Sequence, residues 1–157
     1  MISKIKPYAV SILIALLVGG ASAFLTRNNM DIYDELITPP LAPPSILFPI
    51  VWTVLYVLMG ISAAMIYTAK DEPFKERYSA LAIYASSLVV NFSWSIIFFN
   101  LKAYLFAFIW LLFLLFLIVK TIMQYKKIRP IAAYLQIPYA VWVAFAGYLN
   151  LGIWVLN

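Results

Sequence analysis

The chain has 157 residues, of which 66% are hydrophobic, and its 11 basic and 6 acidic side chains give a formal net charge of +5. It contains no histidine and no cysteine, which excludes disulfides, thiolate nucleophiles, imidazole bases and the softest metal ligands. We therefore predict no metal site, and no conventional hydrolase or zinc enzyme.

Five long apolar stretches account for most of the chain. Each is about long enough, at roughly 1.5 Å per residue of α-helix, to cross about 30 Å of hydrocarbon. The sequence therefore predicts an all-α membrane protein, a bundle of five transmembrane helices that forms a single domain over residues 1–157. The stretches are 8–25, 46–69, 79–99, 103–123 and 131–155.

The first stretch permits two interpretations. Lys4 and Lys6, the apolar run and the sequence Ala-Ser-Ala at 21–23 resemble a signal peptide with its cleavage site. The run is long for a signal peptide, however, and its small residues from Gly19 onwards are typical of a membrane helix that a neighbour approaches closely. We predict a retained transmembrane helix.

The connection at 26–45 is long and acidic, and its second half is rich in proline. Proline fixes φ and lacks an N–H donor, so this segment is predicted to be stiff and extended instead of flexible. We expect it to cover the outer end of the bundle as a lid. The prolines are Pro39, Pro40, Pro43 and Pro44.

Three local signals refine the later helices. Ser45 is a plausible N-cap for the second helix, with Pro49 in the first turn. The joint at 100–102 is short enough to make the third and fourth helices antiparallel neighbours. Pro138 lies well inside the fifth helix and frees the carbonyl of Tyr134, which predicts a kink.

Basic residues are concentrated at alternate junctions between the stretches. This asymmetry places the N-terminus in the cytoplasm and the C-terminus outside, and it explains the positive charge without nucleic acid. All six acids lie in connecting segments, which leaves no buried carboxylate pair for acid–base chemistry. One set of ends carries Lys4, Lys6, Lys70, Lys75, Arg77, Lys120, Lys126, Lys127 and Arg129, and the other carries Arg27 and Lys102.

Three of the predicted helices carry polar or indole side chains at mid-span. An unpaired amide in hydrocarbon costs several kcal/mol, so Asn91 and Asn150 are predicted to face the bundle interior. The stripes are Trp52, Tyr56 and Met59 in the second helix, Asn91, Trp94, Ser95 and Phe98 in the third, and Pro138, Trp142, Ala146 and Asn150 in the fifth.

Helix packing alone explains such stripes if Asn and Ser join the helices and the aromatic rings fill space. Trp154 fits that explanation as a residue of the interfacial belt. Trp52, Trp94 and Trp142 fit it less well, because three bulky indoles at depth each carry an N–H that needs an acceptor. An aromatic cavity with a few donors suits a flat, apolar ligand.

Four ordered motifs resemble the TspO/MBR family over essentially the whole chain. The resemblance implies a homodimeric five-helix bundle with a pocket under the first loop. The motifs are Tyr33-x-x-Leu36-x-x-Pro39-x-x-x-Pro43-Pro44, Phe48-Pro49-x-x-Trp52-x-x-Leu55-Tyr56-x-x-Met59-Gly60, Asn91-x-x-Trp94-Ser95-x-x-Phe98-Phe99 and Pro138-Tyr139-x-x-Trp142-x-x-Phe145-Ala146-x-x-Leu149-Asn150.

The resemblance also implies ligands and roles. Members of the family bind porphyrins such as protoporphyrin IX and isoquinoline carboxamide or benzodiazepine drugs, and several bind sterol. Trp52 and Trp142 are then expected to donate to a ligand carbonyl. The pocket wall is expected to include Tyr56, Asn91, Trp94 and Ala146, and the lid Tyr33, Pro43 and Pro44.

Several positions depart from the family pattern. Ile32 stands where many relatives have tryptophan, and Thr38 where they have lysine. Trp110 stands where some bacterial relatives carry an acid in the fourth helix.

The leading interpretation is a porphyrin receptor or sensor of a bacterial cell membrane that needs no cofactor. The rivals are light- and oxygen-dependent porphyrin degradation, with Trp52 and Trp142 as oxidisable partners, and a tetrapyrrole or lipid transporter.

Overall fold

A computed structural model describes residues 2–157, which form helices and no strand. Five of the helices are long and apolar enough to cross a membrane, so the predicted fold class is confirmed. The helices are α1 (Ile2–Thr26), α2 (Ile32–Glu35), α3 (Leu47–Tyr67), α4 (Phe74–Ser95), α5 (Tyr104–Ile128) and α6 (Pro130–Leu156), and a π-helical turn, Ile96–Asn100, continues α4.

Several long helices extend beyond the apolar stretches that predicted them. α1 begins at Ile2, and α5 continues to Ile128. Hydropathy marks the part of a helix that lies in hydrocarbon, whereas Lys, Gln and Tyr allow the backbone to stay helical in the charged flank. α5 ends where Pro130 forces the preceding Arg129 into an extended conformation.

The order of packing places a cavity within the bundle. α5 contacts both α4 and α6, and α1 lies mainly against α3 and partly against α4. The predicted neighbour relation across the 100–102 joint is confirmed by the contact of α4 with α5. α3 and α6 also contact each other, so α1, α3, α4 and α6 surround a common interior.

Two glycines allow α1 and α3 to approach closely. A Cβ atom added at Gly60 would lie 2.5 Å from the Cα atom of Ile12, and one added at Gly19 would overlap the Tyr56 ring. Such small-residue contacts are the usual basis of tight helix pairing in membranes. Gly19 of the first stretch therefore serves the packing of α1 on α3.

The C-terminal end of α4 differs from a regular helix. Its π-helical turn ends with the Leu101 amide donating to the Ile96 carbonyl at 3.0 Å, and Lys102 has a left-handed backbone with φ of 54°. The turn positions Asn100, which accepts a hydrogen bond from Asn29 at 2.8 Å and donates to the Leu25 carbonyl at 3.1 Å. The turn thus ties the end of α4 to the end of α1.

The start of α3 differs from the sequence prediction, and the course of α6 at Pro138 bears on the predicted kink. Ser45 is not the N-cap of α3, because the helix begins at Leu47 and Ile46 occupies the capping position without a side-chain hydrogen bond. The Pro44 and Ser45 carbonyls instead accept the first amides in a turn. α6 is continuous through Pro138, and the kink there stays a prediction.

Candidate functional site

A cavity of about 530 Å³ lies between α1, α3, α4 and α6, beneath α2 and the loop that follows it. Cavities of roughly 300–1,000 Å³ are typical of sites for drug-sized ligands. Exposed residues mark its mouth, where α1 and α3 separate below α2. These residues are Gly20, Ala23, Met30, Asp31, Asp34, Ser45, Ile46, Pro49 and Thr53.

Aromatic rings of α3 form one wall of the cavity. The Trp52 ring stacks on the Tyr56 ring, with centroids 5.6 Å apart and planes 30° apart. Its edge also meets Tyr139 of α6, with centroids 6.2 Å apart. Because Tyr139 and Tyr56 are buried, Trp52 is held by packing and presents an ordered aromatic surface to the cavity.

Amide side chains satisfy the hydrogen-bonding groups of the deeper wall. Asn91 is 3% exposed and donates to the hydroxyls of Tyr56 and Tyr139, each at 3.3 Å. Asn150 is 1% exposed, accepts from the Trp94 indole at 3.1 Å and donates to the Tyr104 carbonyl at 2.8 Å. The prediction that both amides face the interior is confirmed, and their bonds fix the rings around them.

The lid is the segment at 27–46, which includes α2. Tyr33 of α2 lines the cavity and donates to the Pro43 carbonyl at 2.8 Å, which folds the lid back on itself. Burial raises the pKa of the Tyr33 hydroxyl, and the Asp34 carboxylate adds to the rise. The hydroxyl therefore remains a donor at neutral pH. The Tyr33 ring also meets the Phe48 ring edge-on, with centroids 5.0 Å apart.

The C-terminal part of α6 anchors the lid. The Tyr148 hydroxyl donates to the Pro40 carbonyl at 2.6 Å, and the Asn157 side chain exchanges two hydrogen bonds with the Ile37 backbone, at 2.8 and 3.1 Å. The Pro39 ring lies directly on Gly152, where a Cβ atom would be 2.5 Å from its Cγ atom. The proline-rich segment is therefore held in place on the end of the bundle.

Most of the site residues predicted from sequence meet at the cavity. The lining includes Trp52, Tyr56, Asn91, Trp94, Ala146 and, from the lid, Tyr33.

Trp142, Pro43 and Pro44 are absent from the described lining. The Trp142 ring packs against the ring of Phe48, with centroids 5.8 Å apart, and its buried N–H has no acceptor within residues 2–157. Pro43 contributes its carbonyl to Tyr33.

Two groups of lining residues were not predicted from the sequence. Small residues of α1, including Gly19, Ser22 and Ala23, form a whole wall. Their clustering signalled close packing but not a cavity. Asp31 and Asp34 lie at the mouth, although acids in a connecting loop look like ordinary solvated residues. Trp110 lies outside the lining and donates to the Ser93 hydroxyl at 2.8 Å.

Fold and site together define a class of protein: a five-helix membrane bundle with an internal aromatic cavity beneath a proline-rich lid. Residues 11–155 match the TspO/MBR family. Because this match covers most of the chain, the protein belongs to the TspO/MBR family, as the motifs predicted.

Known relatives span a wide range of organisms. The tryptophan-rich protein TspO of Chlorobaculum tepidum is 33% identical over an alignment of 158 positions, which covers 100% of this chain and 99% of that protein. The translocator protein of Bos taurus is 34% identical over 125 residues, covering 80% and 74%. The tryptophan-rich sensory protein of Cereibacter sphaeroides is 30% identical over 125 residues, covering 80% and 76%.

Proposed function

We propose that this protein is a membrane receptor or sensor that binds porphyrins, such as protoporphyrin IX, in the cavity beneath its lid. The observation that carries the proposal is the 530 Å³ space walled by Trp52, Tyr56 and Trp94. A flat conjugated ring gains contact area on such aromatic faces. The names of two relatives, a sensory protein and a translocator protein, support a role in sensing or moving a ligand.

The same cavity suits other flat, largely apolar molecules. We include isoquinoline carboxamide and benzodiazepine-type drugs, because an aromatic wall with few donors selects shape and polarity more than one particular compound. Sterol or lipid is a further candidate, since the mouth opens between α1 and α3, two helices with exposed apolar faces. A homodimer remains part of the proposal.

Trp52→Phe is expected to weaken protoporphyrin binding about tenfold, because it removes an N–H and part of the wall while keeping an apolar ring. The loss corresponds to about 1–2 kcal/mol, the scale of one hydrogen bond at a dry site. Fluorescence titration of the purified protein measures it. Trp154→Phe is the matched control, because Trp154 is exposed and outside the described lining. Equal effects of the two substitutions would contradict the site.

Trp142 provides a second comparison in the same titration. The resemblance assigns it a donor role, yet Phe48 stands beside it and its buried N–H is unpaired. We propose that a carbonyl-bearing ligand reaches this N–H only when Phe48 moves. Trp142→Phe should then weaken a carbonyl-bearing drug more than protoporphyrin.

Light- and oxygen-dependent degradation is the second candidate function, favoured by the oxidisable indoles of Trp52 in the wall and of Trp142 beside the wall residue Phe48. The sequence has no histidine or cysteine to act as base or nucleophile. We expect loss of protoporphyrin absorbance only under illumination with oxygen present. The double variant Trp52→Phe, Trp142→Phe should slow that loss while fluorescence still shows bound porphyrin. Multiple turnover in darkness would contradict this.

The orientation follows from the distribution of basic residues. We propose a bacterial cell membrane with the N-terminus in the cytoplasm, the lid outside and the C-terminus outside. A periplasm-active reporter fused after Asn157 is expected to be active, and a cytosol-active reporter at the same site inactive. The reverse pattern would show that the orientation is inverted.

A further inference from the structure

Four helices carry buried polar side chains in the half of the bundle away from the lid. On α4, Tyr84 lies seven residues before Asn91, about two helical turns, so the two residues share the inward face of that helix. Asn91 belongs to the cavity wall, and Tyr84 lies about 10 Å further from the lid along the helix axis. The polar face of α4 therefore continues below the cavity.

The hydroxyls of Tyr84 and Tyr125 have no hydrogen-bond partner within residues 2–157. The two side chains come from the adjacent helices α4 and α5, and their ring centroids lie 6.5 Å apart. Tyr84 is 6% exposed and Tyr125 is 0% exposed, so bulk solvent reaches neither hydroxyl. An unpaired buried hydroxyl is costly, and native proteins pair almost all of them with protein groups or with ordered water.

An amide oxygen of α6 lacks a partner at a similar depth. Gln136 is 0% exposed and its amide nitrogen donates to the Ser62 hydroxyl of α3 at 3.2 Å, but its oxygen is unpaired within residues 2–157. α5 and α6 meet at Arg129, with Tyr125 four residues before it and Gln136 seven residues after it. The backbones of Tyr125 and Gln136 therefore differ in depth by only about 4.5 Å.

We propose that ordered water binds between α4, α5 and α6, where it pairs the hydroxyls of Tyr84 and Tyr125 and the amide oxygen of Gln136. A buried water molecule makes about three hydrogen bonds to groups that would otherwise be unpaired. It can accept from both hydroxyls and donate to the amide oxygen, so it suits this set of groups. An ion suits the set poorly, because three neutral groups would leave its charge unbalanced in a buried site.

This hydration site is separate from the cavity and does not depend on the ligand that the cavity binds. Tyr84, Tyr125 and Gln136 are absent from the described lining. Asn91, which donates to the hydroxyls of Tyr56 and Tyr139 in the cavity wall, shares a helix face with Tyr84. The water therefore continues the polar interior of the bundle away from the lid, and it joins three helices below the cavity.

A double-mutant cycle in thermal unfolding tests this site, with Tyr84→Phe, Tyr125→Phe and the double variant measured in detergent. Each single substitution leaves the water and the remaining groups short of a hydrogen bond, so the unfolding temperature should fall by several degrees. The double variant removes both hydroxyls, so its fall should be clearly smaller than the sum of the two. Tyr134→Phe is the control and should change little, because Tyr134 is exposed on α6.

Falls that add up, or single variants that are no less stable than the wild type, would overturn the proposal, because the two hydroxyls would then share no partner. A structure of the purified wild-type protein, at a resolution that shows ordered water, separates a water bridge from direct contact. We expect density for water within hydrogen-bond distance of both hydroxyls. Hydroxyls that bond directly to each other, or only to other protein groups, would also overturn it.

Discussion

Gly60→Ala is expected to destabilise the bundle more than any other single-methyl change proposed for this protein. The added Cβ would lie 2.5 Å from the Cα and 2.8 Å from the backbone nitrogen of Ile12. Backbone atoms cannot rotate away, so α1 must move from α3. Overpacking of this kind costs about 1–3 kcal/mol or more, and it also displaces the wall that α1 gives to the cavity.

Thermal unfolding of the purified variant in detergent measures this effect, and a fall of several degrees is expected. Gly20→Ala is the matched control, because a Cβ at Gly20 meets nothing within 4 Å. If both variants unfold at the same temperature, the close approach of α1 and α3 is not present in the protein. Ligand binding should fall in parallel for Gly60→Ala and persist for Gly20→Ala.

Gly152→Ala is expected to loosen the lid and speed ligand release. Its Cβ would lie 2.5 Å from the Cγ atom and 2.7 Å from the Cβ atom of Pro39, and a proline ring has little freedom to yield. The lid must lift locally, which strains the neighbouring hydrogen bonds of Ile37 and Pro40 to α6. We expect the dissociation rate to rise about tenfold, equivalent to about 1.4 kcal/mol.

Stopped-flow fluorescence after mixing porphyrin-loaded protein with a lipid acceptor measures that rate. Gly147→Ala on the same helix is the control, since its Cβ would have only ordinary contacts, the nearest at 3.9 Å. Unchanged release in Gly152→Ala would mean that the lid does not retain the ligand. Slower release in both variants would point to a general stiffening of α6.

Properties that depend on local chemistry were predictable from the sequence. Helix number follows from apolar length, and the inward direction of Asn91 and Asn150 follows from the cost of an unpaired amide in hydrocarbon. The indoles of Trp52 and Trp94 stand out because lipid-facing surfaces do not need them. For these residues, the chemistry of the side chain alone indicates that it faces the interior of the bundle.

Properties that depend on relations between segments were not predictable in the same way. Gly19, Ser22 and Ala23 become a cavity wall only because α3 stands opposite, and small side chains signal close packing equally well. Asp31 and Asp34 reach the mouth because the lid folds back through Tyr33. Trp142 shares helical spacing with Ala146, yet its ring packs against Phe48 of another helix and only Phe48 is in the described lining. The π-helical turn has no signal in residue type.

A structure of the purified protein with protoporphyrin IX bound tests the central claim most directly. The account predicts the macrocycle in the cavity beneath the lid, against Trp52 and Trp94. A macrocycle seated instead on the lipid-facing groove between α5 and α6, beside Phe108 and Gly147, with the cavity unoccupied, would contradict it.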